Sequence, residues 1–280
     1  MIDWFNIHGL KIIIIVVVGG AGYFIFQKVV PRLINRTIAM QMKDKPPIEI
    51  RKRSQTITKV INNTVGLLIG LLVLFTILAE IGINIGPALA SLGILGLAVG
   101  FGAQSLVRDI INGLFILVEN QYSVGDVVKV AGIAGLVEEV NLRRTILRDL
   151  DGVVHYVSNS EILIASNFTK EYSRVNINIT VDYRAKLDQV IKVINRVGSE
   201  IAKEAAWKPK IIKAPQFLRV DGFSESGIEI KILGDTQPSA QWEVMGELLK
   251  RIKNEFDKEG IELSWPHRKV FFSTPPKKKK

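Results

Sequence analysis

The chain has 280 residues, no cysteine, and 37 Lys and Arg against 27 Asp and Glu, a formal net charge of +10, with a mean hydropathy of +0.24. The absence of cysteine excludes disulfides, thiolate nucleophiles and cysteine-based zinc sites, and the length suits a small membrane domain with one or two soluble domains. The charge does not point to a nucleic-acid partner: residues 120–276 hold 22 basic and 21 acidic side chains, and the excess sits in Pro31 to Lys59 and in the four terminal lysines.

Met1 to Gly9 contains Asp3 and Trp4 but no Lys or Arg, so it lacks the basic start of a secretory signal. Ile12 to Gln27 is uncharged, and Lys11 and Lys28 are placed to snorkel, which predicts a retained first span over Leu10 to Val30. Pro31 to Lys59 follows with eight basic residues against two acidic. By the positive-inside rule this segment is a cytoplasmic loop, and the N-terminus is then outside. Val60 to Ala79 predicts a second span, with Gly66 and Gly70 at a spacing used in helix contacts, and Glu80 ends it. Ile81 to Pro87, with Gly82, Gly86 and Pro87, reads as an external turn into a third helix.

That third helix, Ala88 to Glu119, is uncharged up to Val107 but carries Gly93, Gly96, Gly100 and Gly102 in its middle. On a wheel of about 100° per residue, Phe101, Gln104 and Arg108 fall within roughly 40° of Leu97, forming one stripe. Gly93, Gly96 and Gly100 lie on one flank of the stripe, and Ile94 and Ala98 on the other. Copies packed knob to groove would close a ring with Leu97 and Phe101 inward, a hydrophobic constriction that blocks ions by dewetting. The competing reading is that the glycines pack helices within one monomer. Beyond Gln104 the pattern turns amphipathic, with Ser105 and Gly113 as the places where the helix can break towards the membrane plane. Arg108 and Asp109 read as exposed charges on a solvated half-helix.

Residues 120–173 read as five short strands punctuated by Gly132, Gly135 and Asp151-Gly152, a small barrel-like β domain. It lacks aromatic platforms for RNA. Residues 174–265 follow the order β-α-β-β-α-β, with helices over Leu187 to Ala206 and about Ser239 to Lys258 and a closing strand IELSW, the ferredoxin-like pattern. In residues 266–280, RKVFFS reads as a strand that must pair with copies of itself, followed by a basic tail.

Together, GLAVGFGAQSLVRDIING, VGDVVKVAGIAGLVEEVNLRRTILRDLDG and GIELSWPHRKVFF resemble the pore helix, β domain and carboxyl end of the small-conductance mechanosensitive channel (MscS) family. The resemblance implies a homoheptameric ring in a prokaryotic inner membrane, with the C-terminus cytoplasmic. Each subunit would have three membrane α-helices (residues 1–87 and the pore-lining 88–119), an Sm-like small barrel, an α+β ferredoxin-like domain and a C-terminal barrel strand. It further implies a channel opened by membrane tension that releases ions and small osmolytes on hypo-osmotic shock. The partners would be the chain's own copies, membrane lipids and the permeating solutes, with no cofactor and no nucleic acid. By position, Leu97 and Phe101 become the constricting rings, Gln104 and Arg108 pore lining, and Ala90, Gly93, Gly96, Ala98 and Gly100 the small residues that let helices slide. The family kinks just after the glutamine matched here by Gln104, at a position usually glycine; this chain has Ser105, which makes Gly113 the second hinge candidate. Phe101 replaces the usual leucine, and Ser158 stands where the family has proline.

An enzyme is not indicated. His8, His155 and His267 are scattered, no nucleophile-base set or metal-ligand spacing occurs, and Gly100-Phe101-Gly102 lies inside an apolar helix. The rival function is a secondary transporter, or a non-mechanosensitive channel on the same scaffold. Three spans show no inverted repeat, however, and Ile81 to Val107 offers no charge to hold an ion.

Overall fold

The computed structural model describes residues 2–41 and 46–265, and the chain divides between Gly102 and Ala103 into two units. The RKVFFS strand and the basic tail expected over 266–280 lie outside the described residues.

The first unit contains α1 (Ile2–Gln41), α2 (Pro47–Glu80) and the start of α3 (Gly86–Val118). All three are long and apolar enough to cross a membrane, as their uncharged runs require. Both α1 and α2 continue well past the expected span ends, so the basic loop read over Pro31 to Lys59 is largely helical. Hydropathy marks where a span leaves lipid, whereas a helix continues as long as its backbone bonds do, even through Pro31. Small residues let α1 and α2 approach closely. A Cβ on Gly19 would collide with Val73, and one on Gly66 would lie 3.1 Å from the Tyr23 ring; Gly70 faces open space among the described residues. Near the start of α1, His8 Nδ1 and Lys11 Nζ reach Glu80 Oε1 at the end of α2, at 2.7 and 2.9 Å. The turn into α3 takes Gly82 into the left-handed region at φ +86°, and the Gly86 N–H donates to Asn84 Oδ1 at 2.9 Å.

The second unit begins with the rest of α3. Next come β1 (Val127–Val130), β2 (Ile133–Val140), β3 (Arg144–Arg148), β4 (Val154–Ser158), a 3-10 turn (Asn159–Glu161) and β5 (Ala165–Asn167). They form the expected five strands, as an antiparallel sheet ordered β4-β3-β2-β1-β5. Val128, Val130, Val137, Leu147 and Val157 make its core with Tyr122, Ile162 and Ile116 of α3. Where a strand was expected through EILIAS, the chain makes the 3-10 turn first, and only Ala165–Asn167 pair with β1.

A second sheet, ordered β6-β8-β7, comprises β6 (Ser173–Val181), β7 (Ile211–Phe223) and β8 (Ile228–Thr236), with α4 (Leu187–Lys203) and α5 (Gln241–Glu259) supplying the helices. In β6 the alternation is complete: Val175, Ile177, Ile179 and Val181 are buried, while Arg174, Asn176 and Asn178 are exposed. The buried side join Val190, Ile194 and Ile201 of α4 and Leu248, Ile252 and Phe256 of α5 in one core. The closing strand expected over IELSW reduces to a single bridge, Val181 to Leu263, flanked by hydrogen bonds from Asp182 N to Glu262 O and Ser264 N to Thr180 O. Arg251 of α5 donates to Glu204 and Glu247 and holds both carboxyls below their ordinary range.

Gly198 in α4 permits the closest approach in this core, because a Cβ there would collide with the Pro215 carbonyl oxygen of β7. Gly198→Ala is therefore expected to cost about 1–3 kcal/mol through overpacking and to lower the thermal unfolding midpoint. Gly246→Ala, on the exposed side of α5 with open space around it, gains helix propensity by roughly 1 kcal/mol and should leave the midpoint level or raise it. Scanning fluorimetry of both variants checks this, and equal behaviour would contradict the close-packing account.

Candidate functional site

The site is α3, whose two halves have opposite surroundings. Every residue from Gly93 to Gly102 is exposed. Leu97 is 65% and Phe101 75% accessible, values normally found on loops in water, on a helix segment that carries no charge. A Cβ on Gly93, Gly96, Gly100 or Gly102 would meet nothing within 4 Å among the described residues. That separates them from Gly19 and Gly66, whose small size is used within the chain. The reading in which the α3 glycines pack against helices of their own monomer therefore finds no partner among the described residues. Ala90 and Ala98 are exposed in the same way, as are Gln104, Ser105 and Arg108.

From Asp109 onward the helix is anchored. Asp109 is 3% exposed, and its Oδ1 accepts the Ser160 N–H at 2.7 Å. This corrects the sequence reading of Asp109 as a solvated charge: its carboxylate satisfies a backbone donor of the 3-10 turn, where an anion is favoured. Arg108, its neighbour, is exposed as expected. One turn on, Asn112 Nδ2 donates to the Asn159 carbonyl at 3.0 Å. Gly113 is buried, and a Cβ there would collide with the Leu142 carbonyl oxygen and the Asn159 amide. Ile116 then enters the β-domain core. α3 is helical without interruption through both Ser105 and Gly113.

Asn159 organises the receiving surface. It is fully buried, its Nδ2 donates to the Asn141 carbonyl at 2.8 Å, and its Oδ1 accepts from Thr145 Oγ1 at 3.1 Å. Thr145 in turn shares a 2.9 Å hydrogen bond with the Tyr122 hydroxyl, and burial pushes that phenol up from its ordinary value. Tyr122, Thr145 and Asn159 thus satisfy one another in a buried hydrogen-bonded series, as a low-dielectric site requires. Sequence reasoning missed Asn112 and Asn159. The available signal was an uncharged Asn one turn after Asp109 on the same helix and an Asn-Ser pair opening a short turn, residue types that bond to nearby backbone.

Among the described residues the histidines are engaged in separate ion pairs. His155 Nε2 lies 2.8 Å from Asp149 Oδ2 in the β3–β4 turn, where it holds the carboxyl below its ordinary range, and His8 pairs with Glu80 at 2.7 Å. Among the described residues no three His, Cys, Asp or Glu converge on a metal position.

Three family models cover most of the chain: "Mechanosensitive ion channel, transmembrane helices 2/3" over residues 57–104, "Mechanosensitive ion channel, beta-domain" over 105–170, and "Mechanosensitive ion channel MscS, C-terminal" over 175–263. A small-conductance mechanosensitive channel from Caldanaerobacter subterraneus subsp. tengcongensis is 34% identical over 269 residues, 96% of this chain and 92% of the relative. The Escherichia coli moderate conductance mechanosensitive channel YbiO is 31% identical over 83% of this chain, which spans 31% of that longer protein. Among solved structures, closed-state MscS from Helicobacter pylori superposes with a TM-score of 0.66 at 21% identity, covering 96% of this chain and all of the other.

The anchor makes a local prediction. Asp109→Ala leaves the buried Ser160 N–H without an acceptor, a loss of about 1–3 kcal/mol, and Asp109→Asn retains an acceptor oxygen. Amide exchange over residues 159–162 should accelerate in Asp109→Ala and in Gly113→Ala and stay near the parent rate in Asp109→Asn. Unchanged exchange in all three would show that α3 is held by other means.

Proposed function

The chain belongs to the MscS family of mechanosensitive ion channels, and on that premise we propose that it is a tension-gated pore assembled from seven copies around α3. The observation that carries the reading is the upper half of α3: an uncharged, exposed helix with Gly93, Gly96 and Gly100 unopposed along one flank and Leu97 and Phe101 projecting beside them. A second copy brings Ile94 and Ala98 into that flank, and repetition of one heterologous contact closes a ring. Leu97 and Phe101 then face the axis as two apolar layers that exclude water, with Gln104 and Arg108 lining the pore beyond them. Ala90 joins the small residues that let neighbouring helices slide.

Membrane tension does work in proportion to the in-plane area that a conformation gains, so it selects a state with separated α3 helices and a hydrated constriction. In a cell this reading releases ions and small osmolytes after hypo-osmotic shock. By the positive-inside rule, the basic residues between the first two spans favour a topology with that segment and the carboxyl-terminal domains in the cytoplasm and the N-terminus outside. Of the two hinge positions, Ser105 is favoured: it lies between the exposed and the anchored halves, whereas Gly113 is spent on its approach to Leu142.

The experiment is single-channel recording under patch suction with the protein reconstituted in liposomes. Discrete current steps appearing with tension are expected; saturable flux without steps would favour a transporter instead. Keeping a Leu dry is worth about 1.5–3 kcal/mol, and a substitution is repeated in every copy. Leu97→Ser and Phe101→Ser are therefore each expected to lower the opening tension and produce openings at rest. A threshold unchanged in both variants would remove Leu97 and Phe101 from the constriction.

A further inference from the structure

The run from Ile81 to Val107 carries no charge, and two charged residues bound it: Glu80 at the end of α2 and Arg108 in α3. Glu80 is neutralised by His8 and Lys11, at 2.7 and 2.9 Å. Arg108 has no such company. It is exposed, and among the described residues no ion pair or hydrogen bond reaches its guanidinium.

In the sequence Arg108 and Asp109 form a neutral couple, since opposite charges side by side in solvent largely cancel beyond a short distance. The structure separates them. Asp109 is 3% exposed and its Oδ1 accepts the Ser160 N–H at 2.7 Å, which commits the carboxylate to the β domain. Arg108 points about 100° away round the helix, on the stripe of Leu97, Phe101 and Gln104. The other carboxylate of that turn, Glu161, is exposed and makes no ion pair with Arg108. The acid is therefore turned into the protein and the cation is left facing out.

We propose that Arg108 sets the charge selectivity of the open pore: repeated in every copy, it forms a ring of guanidinium groups beyond the apolar constriction that admits small anions in preference to cations. Its place in the pore rests on the reading of α3 given above. A ring of like-charged side chains selects ions by sign. An ion on the axis passes the guanidinium groups directly, whereas the Asp109 carboxylates lie on the side packed against the β domain. With a screening length of about 10 Å at 0.1 M salt, the nearer charge prevails.

The test is single-channel recording in liposomes, with reversal potentials measured across a KCl gradient. The parent channel should pass chloride over potassium by about two-fold or more near 0.1 M salt, and the preference should shrink towards parity near 1 M, where the screening length is about 3 Å. Arg108→Gln should abolish the preference and Arg108→Glu should reverse it, while Arg36→Gln, which removes an exposed arginine of α1, should leave it unchanged. Where the charge-reversed variant does not assemble, a thiol takes its place. The chain has no cysteine, so Arg108→Cys introduces a single one. A methanethiosulfonate reagent forms a mixed disulfide with it and releases methanesulfinate. A sulfonate-bearing reagent should move the open channel towards potassium, and a trimethylammonium-bearing one should restore the preference for chloride.

A parent channel with equal permeabilities or a preference for potassium overturns the proposal, as does a chloride preference that survives Arg108→Glu at full size, or a thiol at this position that neither reagent reaches in the open state. Tension-driven current steps whose reversal potential is indifferent to residue 108 remove the selectivity assignment alone. A protein silent up to membrane rupture removes the pore reading and this assignment together.

Discussion

An uncharged helix from Gly93 to Gly102, exposed all round within its own chain, sets the terms for everything else in this molecule. Its backbone is satisfied internally, so it is stable in hydrocarbon, but its glycines give lipid tails little to contact. A lipid-facing span gains nothing from residues without side chains. A helix packed against copies of itself gains from them, because they allow backbones to approach and make continuous van der Waals contact. The first two helices show the same device completed within the chain, where Gly19 meets Val73 and Gly66 meets the Tyr23 ring. In α3 the same small residues have no counterpart among the described residues, and the proposed ring would supply it.

The lower half of the same helix has the opposite character. Asp109, Asn112, Gly113 and Ile116 recur at helical spacing on one side, and each is committed to a specific neighbour in the β domain: the Ser160 N–H, the Asn159 carbonyl, the Leu142 carbonyl and the apolar core. Directed hydrogen bonds and a glycine contact tolerate little sliding, since the buried donor at Ser160 loses its acceptor if the helix shifts by a fraction of a turn. One continuous helix therefore carries an uncharged, exposed segment of small residues and another committed to fixed contacts. The glycines fit both purposes: Gly113 admits the fixed Leu142 carbonyl, and in the proposed ring Gly96 and Gly100 would leave room for a neighbour that moves.

The same division separates the features legible in the amino-acid sequence from those that are not. The stripe of Leu97, Phe101, Gln104 and Arg108 and its small-residue flank were legible because they depend only on helical periodicity and on the absence of charge over Ile81 to Val107. So were the five β strands and the alternation of β6, whose signal is local. What escaped depends on non-local partners. Asp109 looks like a solvated charge until the turn at Ser160 is placed beside it, and the packing of Gly113 against the Leu142 carbonyl joins residues too distant in sequence to be paired by pattern. The basic segment after Pro31 reads as a loop because hydropathy reports lipid contact and not helicity. The IELSW segment reads as a strand, but among the described residues its pairing is the single bridge of Leu263 to Val181 at the end of β6.

The energetics of the exposed half fit a switch better than a permanent joint. In water, leaving Leu97 and Phe101 uncovered is opposed by the hydrophobic effect, which binds subunits tightly. In lipid that drive vanishes, because acyl chains are as apolar as leucine, and only close packing distinguishes a neighbouring helix from the solvent. Packing of small residues yields contacts worth about 0.1–0.2 kcal/mol per atom pair, which sum to a modest preference and fall away smoothly as helices separate. At the inner edge of the proposed ring, Leu97 and Phe101 would border water, where the dry arrangement is favoured until the gap widens enough to wet. The proposed closed state is therefore held by a weak, distance-sensitive term between helices and a cooperative one at the axis. Such a balance yields to an area-dependent force in the plane of the membrane while the β-domain anchor, built from satisfied buried polar groups, stays in place.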